Sequence, residues 1–258
     1  MSTVCEKRIQ ELLKELYLPT IREYFIQKAQ EAATENLCHL DYLRELLEIE
    51  WAQRRQKSIE RRLRESNIPL EKTFDTFKTD RFERKLIHQI EVLRDGCFIK
   101  RRENVLAFGK PGTGKSHLLC AIGRELIMLG YNVYFSSCGL LVQELLRAKA
   151  ELRLDKHLKK LSRFDALILD DIGYVQQSRE EMEVLFTLLA ARYERGSVLL
   201  TSNLPFSKWE NIFKDPMTTA AAIDRLVHHS VILELNVKSY RMEQAQNRSV
   251  PQNMENGE

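Results

Sequence analysis

The sequence predicts an α/β protein in which a parallel sheet lies between helices, preceded by a small all-α domain. Three observations carry this. Residues 1–66 hold no Gly and a single Pro, and their apolar residues recur at spacings of three and four, the helical period. From about residue 104, short β-rich runs alternate with helical stretches, as a parallel sheet covered on both faces requires. Finally, 258 residues that are 43% hydrophobic, with only 10 Gly and 6 Pro, supply one core and a smaller module and suit neither a disordered nor a collagen-like chain.

In the helical domain, residues 1–66, the first helix is marked by Ile9, Leu12, Leu13 and Leu16, the second by Ile21, Tyr24 and Phe25, and the third by Leu40, Leu43, Leu46 and Leu47. Breaks are expected near Leu18-Pro19 and near Asn36. The third helix is predicted over 41–65 and ends at Ser66-Asn67-Ile68-Pro69, because a residue before proline is pushed out of the helical region. Residues 67–103 read as a linker, with Phe74 and Phe77 in it, followed by a helix around 82–93. The core, residues 104–246, is predicted to place strands at 105–108, 132–136, 166–169, 198–201 and 230–235. Helices are predicted between them at 115–129, 140–161 and 179–195. The polar residues 247–258 are expected to form a disordered tail.

Lys and Arg number 40 against 37 Asp and Glu, and the net charge of +3 gives almost no global field for a polyanion. Regionally the balance differs: residues 1–50 are net −4 and residues 51–102 net +7. No stretch approaches 18 uninterrupted apolar residues and the N-terminus is charged and amphipathic, so a soluble, cytoplasmic protein with no membrane partner is expected. Five scattered cysteines (Cys5, Cys38, Cys97, Cys120, Cys138) form no Cys-x-x-Cys pair and read as reduced, mostly buried small hydrophobes.

The strongest chemical signal is Gly109-Lys110-Pro111-Gly112-Thr113-Gly114-Lys115-Ser116, followed by His117. Its spacing, Gly, four residues, then Gly-Lys-Ser, between a predicted strand and a predicted helix, is that of a P-loop. Glycines let successive backbone N–H groups turn inward around a phosphate at a helix N-terminus, where the dipole also favours negative charge. Lys115 then reaches the β- and γ-phosphates of ATP, and the Ser116 hydroxyl can ligate Mg²⁺. Fifty-five residues after Lys115, the apolar run 164–169 ends in Asp170-Asp171. There Asp170 would hold the metal, and Asp171 would orient and deprotonate an attacking water. Taken alone, such a run is also how a strand ends in a polar turn; beside a P-loop the catalytic reading prevails. A third strand runs into Ser202-Asn203, where the Asn203 amide could reach both γ-phosphate and water. Adenine recognition stays open at this point, with Phe74 and Phe77 read as core packing before base stacking.

These motifs in this order resemble the AAA+ ATPases and, within them, the initiator and loader branch of DnaC-type helicase loaders and IstB-type transposition helper ATPases. The resemblance rests on residues 108–117, 167–173, 200–209 and 222–226, and on Leu46-Leu47 with Glu50 and the basic run from Arg54 to Arg64, which are similar to IstB in particular. It extends to about Arg248. It implies that Asn203 is the sensor of the γ-phosphate and that Arg225 is an arginine finger acting in trans, hence a homo-oligomer with ATP at subunit interfaces. A salt bridge to a local acid is the plainer reading of Arg225. Asp171 stands where the family usually has Glu, a methylene shorter, which implies slow hydrolysis. The C-terminal lid is short, with Arg241 as a candidate second sensor.

The branch also carries a DNA-contacting helical element after the second core strand. Here residues 140–163 are net +4, and Lys149, Arg153, Lys156 and Lys160, with Arg147 nearby, recur at three and four, so they are expected to share one helical face that tracks a phosphate backbone. A solvated face is the alternative. The basic end of the third helix, Arg54 to Arg64, is a second DNA candidate. No helix-turn-helix or zinc-finger signature is present, so sequence-independent binding of double-stranded DNA is expected. The combined expectation is an ATPase that multimerises on target DNA and engages a transposase through its helical N-terminal module. A replicative helicase loader, a small-molecule kinase and a non-catalytic nucleotide-gated scaffold remain rivals.

Overall fold

The computed structural model describes residues 2–172, 178–209, 216–240 and 242–243, and the chain divides into two compact units, residues 1–61 and 62–258. In the first unit, α1 (Ser2–Glu15) and α2 (Pro19–Glu35) precede α3 (His39–Glu65), whose last residues belong to the second unit. Both predicted breaks are present, closed by Tyr17 and Asn36 in the left-handed region (φ 55° and 52°). Ile21, Phe25 and Leu46 form a small buried core, with Leu13, Leu18 and Tyr42 packed on it.

The start of α2 shows how this module is held. Pro19 occupies the first turn, but the N-cap, Leu18, has no side-chain acceptor for the amides that follow. Glu50, 3% exposed on α3, supplies one from 30 residues away: its Oε2 accepts the Thr20 and Ile21 amides at 2.8 and 3.1 Å. Arg54 Nε donates to Glu50 Oε1 at 2.6 Å, and its guanidinium also donates to the Tyr17 carbonyl. Burial pushes the Glu50 carboxyl up, but the bonds from Arg54, Ile21 and Thr20 outweigh it and hold the group below its ordinary value.

The second unit is built on a five-stranded parallel sheet in the order β2-β3-β4-β1-β5. The strands are β1 (Asn104–Phe108), β2 (Val133–Ser137), β3 (Ala166–Ile172), β4 (Ser197–Ser202) and β5 (Ser230–Glu234). All six residues of β4 are buried, as a central strand covered on both faces requires. The covering helices are α4 (Arg84–Arg94), the single turn α5 (Cys97–Lys100), α6 (Lys115–Met128), α7 (Cys138–Ala150), α8 (Leu154–Leu161), α9 (Arg179–Arg192) and α10 (Pro216–Val227). Leu106, Leu141, Leu145, Leu167, Leu185 and Leu188 belong to one buried hydrophobic cluster. Ser178 opens α9 with a capping box, donating its amide to Glu181 Oε2 at 2.6 Å and accepting the Glu181 amide at 3.2 Å.

Arg192 ties the N-terminal edge of this sheet together. Only 3% exposed, it donates Nη1 to the carbonyls of Phe164 (2.7 Å) and Leu161 (3.4 Å) and Nη2 to those of Asp165 (3.0 Å) and Ser197 (3.1 Å). Burial lowers the guanidinium to about 10. A Cβ at Gly196 would collide with it.

Two sequence expectations are corrected. The single helix expected over 140–161 is two, because α7 ends in a Schellman turn: the Arg153 amide donates to Ala148 O (2.7 Å), the Leu152 amide to Lys149 O (3.0 Å), and Leu152 takes φ 56°. That position usually carries glycine, so a leucine there gave no signal. The cysteines are also not mostly buried: Cys120 and Cys138 are, whereas Cys5, Cys38 and Cys97 are exposed. Burial raises the Cys120 thiol to about 12, which keeps it protonated. The expected tail, 247–258, and Arg241 lie outside the described residues. Among the described residues no helix is long and apolar enough to cross a membrane.

Candidate functional site

Because all strands are parallel, their C-terminal ends share one edge, and the predicted nucleotide-site residues other than Arg225 gather along it. The loop 109–114 leaves β1, whose Phe108 lies opposite Ser202 of β4. Gly112 and Gly114 take φ 80° and 103°, which a side chain would strain. A Cβ on Gly112 would also strike Ser239 Oγ, so the C-terminal segment passes directly over this turn, and the Tyr240 amide donates to Gly112 O at 2.9 Å. Thr113, 1% exposed, closes the loop by donating to Lys110 O at 2.9 Å. Pro111 lies between these two anchors. Lys115, at the first turn of α6, donates Nζ to the carbonyls of Gly109 (2.8 Å) and Lys110 (3.0 Å), so the ammonium is folded onto its own loop.

A cavity of about 190 Å³ opens beside the loop, lined by Gly112 to His117, by Phe77 and by residues outside every motif, among them Lys78, Arg81 and Phe82. Phe77 and Phe82 stack in it with ring centres 5.3 Å apart, and Arg81 and Lys78 lie over the Tyr240 ring at 5.1 and 5.6 Å. His117 Nε2 donates to Thr73 O at 2.9 Å and lies 3.2 Å from Thr76 Oγ1, which fastens the connector to α6. Phe77 is thus both buried and cavity-lining. Phe74 packs edge-to-face with it, and the Arg94 guanidinium lies over the Phe74 ring. A signal for this wall existed only in composition: residues 72–82 hold three phenylalanines and three basic residues without matching a motif.

Asp170 and Asp171 stand at the end of β3, both half-buried. Thr201 of β4 donates Oγ1–H to Asp170 Oδ1 at 2.7 Å and accepts the Asp171 amide at 2.7 Å, and Asn203 Nδ2 donates to Asp171 Oδ1 at 3.1 Å. Among the described residues neither Asp170 Oδ2 nor the Ser116 hydroxyl has a hydrogen-bond partner. A serine hydroxyl and a carboxylate oxygen are the donor types that suit Mg²⁺, which prefers one or two protein oxygens beside phosphate and water.

Arg225 lies elsewhere. It sits near the C-terminus of α10, where the Leu226 carbonyl accepts Asn104 Nδ2 at 3.0 Å. Asn104 begins β1 and the P-loop follows its end, so the five-residue strand, about 15 Å long, separates them. The Arg225 side chain lies against Phe186 of α9 and forms no ion pair among the described residues; its Nη1 is buried without a hydrogen-bond partner.

The basic stretch forms a groove of about 660 Å³ between α7 and α8, with Arg147, Arg153, Lys156, Lys159, Lys160 and Arg163 in its walls. The shared helical face is corrected to a groove between two helices. Lys149 is not among the groove residues: its Nζ bonds Glu183 of α9 at 2.8 Å.

A parallel sheet of this order, with a P-loop after β1 and paired carboxylates and an asparagine amide on neighbouring strand ends, defines an AAA+ nucleotide-binding protein. Solved structures agree in fold. The DnaC helicase loader superposes with a TM-score of 0.55 at 18% identity, covering 66% of this chain and 98% of that one. AMPPCP-bound DnaA from Aquifex aeolicus gives 0.56 at 19%, covering 75% and 58%. The chain belongs to the IstB-like ATP binding protein family, whose pattern matches residues 11–248. Among its relatives, an insertion-sequence ATP-binding protein of Sinorhizobium fredii (strain NBRC 101917 / NGR234) is 42% identical, over 95% of this chain and 82% of the relative. The IS5376 ATP-binding protein of Geobacillus stearothermophilus is 37% identical over 92% and 94%. The IS21 ATP-binding protein of Pseudomonas aeruginosa is 35% identical over 94% and 91%.

Proposed function

We propose that the protein is a helper ATPase that multimerises on double-stranded DNA in the presence of ATP and Mg²⁺ and assists a transposase. The observation that carries this is the separation of Arg225 from the P-loop on opposite edges of one sheet. An arginine about 15 Å or more from its own phosphate site can stabilise transition-state charge only on a nucleotide held by a neighbouring copy. ATP then bridges subunits, and hydrolysis releases the assembly. On this reading the amides of 109–116 and Lys115 bind the phosphates, with Lys115 leaving the Gly109 and Lys110 carbonyls as it does so. Phe77, Phe82 and Tyr240 enclose the base. Ser116 and Asp170 hold Mg²⁺, which when bound neutralises charge on the phosphates. Asp171, held by Asn203, takes the proton of the attacking water.

Arg147, Arg153, Lys156 and Lys160 contact the DNA backbone from the groove, and the array of copies supplies the field that a chain of net charge +3 lacks. Lys149 and Arg153 contribute less than Lys156 and Lys160, because Glu183 and Glu151 engage their charges. The partner is read as a transposase because the relatives at 35–42% identity are named for insertion sequences, whereas the likeness to a helicase loader is one of fold. The test is electron microscopy and sedimentation with duplex DNA and a non-hydrolysable ATP analogue. Multimers that need both ligands, and that retain the transposase and not a replicative helicase in pull-down, are expected; a monomer under all conditions refutes the reading.

A further inference from the structure

We propose that Thr201 is a positioning residue that gives Asp170 and Asp171 their separate tasks, an assignment that rests on the hydrolytic reading above. Thr201 is 1% exposed, and its hydroxyl is used in both directions. Its one proton goes to Asp170 Oδ1, and a lone pair takes the Asp171 amide, each at 2.7 Å. That amide needs such a partner because the β3–β4 register shifts between Leu169 and Ile172, so the regular ladder does not serve it. Asp171 is also left-handed (φ 68°), a conformation that strains an L residue and persists only where its surroundings hold it.

The consequence is a division between adjacent carboxylates. In a regular strand they would point to opposite faces and one would leave the site. Here the bulge re-aims Asp171 towards Asn203 at 3.1 Å, while the Thr201 proton fixes Asp170 by one oxygen and leaves Oδ2 for a cation. One buried hydroxyl therefore sets which acid faces the metal and which faces the water. Serine can make both bonds, whereas valine, of the same shape, can make neither.

The experiment compares Thr201→Val, Thr201→Ser and Thr201→Ala by two readouts: affinity for a fluorescent ATP analogue with and without Mg²⁺, and steady-state ATP turnover. In the wild type Mg²⁺ should tighten binding. In Thr201→Val that Mg²⁺-dependent gain should shrink about tenfold or more, with metal-free affinity unchanged and turnover reduced about a hundredfold. Thr201→Ser should stay within about threefold of wild type on both. Thr201→Ala carries the same expectation as valine should valine fail to fold. An undiminished Mg²⁺ gain in the valine and alanine variants, no gain in the wild type, or a serine variant as defective as valine overturns the assignment. A wild type that never turns over ATP would refute the hydrolytic reading alone, because the Mg²⁺ gain tests Thr201 without chemistry.

Discussion

The guanidinium carbon of Arg225 lies 4.5 Å from the centre of the Phe186 ring, so α9 supports the side chain proposed to act on a neighbouring subunit. Arg225→Ala should leave affinity for ATP within about twofold while turnover falls about a thousandfold, the scale of a lost arginine finger. Mixing Arg225→Ala with Lys115→Ala chains should restore part of the activity, because each supplies what the other lacks at a shared interface. Unchanged turnover in the Arg225 variant alone would refute the assignment.

Lys149 and Lys156 differ by one bond, and DNA affinity should register it. Lys156→Ala should weaken duplex binding and reduce the slope of log K against log salt by about one. Lys149→Ala, whose ammonium already bonds Glu183, should change the slope by less than half as much. Filter binding or anisotropy between 50 and 200 mM salt measures this. Equal losses at 149 and 156 would show that the Glu183 bond does not shield Lys149.

The first unit should be acid-sensitive through Glu50. Its carboxyl is held below the ordinary value of 4.5, so its contribution to stability is complete above that pH and is lost as pH falls through the folded value. Glu50→Gln should destabilise the unit by about 2 kcal/mol at pH 7, and the difference from wild type should narrow below about pH 4. Chemical denaturation of the full chain with a probe on α2 checks both.

Asp171→Asn should retain ATP binding and lose turnover, since an amide accepts the Asn203 bond but cannot take a proton from water. Asp171→Glu restores the family's usual residue, yet its extra methylene must be accommodated at a left-handed backbone position already tied to Thr201 and Asn203. Turnover below that of wild type in the Glu variant is the expected result, measured by phosphate release.

The sequence made the phosphate loop and the strand-end acids legible because their chemistry depends on residue type at fixed spacing. The helix breaks at Pro19 and Asn36 were legible for a similar reason, since proline and asparagine declare their backbone preferences. Leu152 declared nothing: a leucine in a glycine position split one expected helix into two and turned a charged stripe into a groove. Glu50 stood out only by resemblance, because its role as a cap for α2 depends on a contact across 30 residues. Thr201 carried no signal of its role, since threonine is an ordinary strand residue and its two bonds arise from a register shift that spacing does not reveal.

Arg192 and Gly196 are coupled in a way that reaches beyond either residue. The guanidinium would have to leave four carbonyls to make room for even a methyl group at 196, and without the guanidinium those carbonyls would lose their shared donor. Position 196 cannot drift while arginine holds position 192. Across generations of sequence change the two should behave as a single inherited character, with glycine at 196 free to vary only after arginine at 192 has gone.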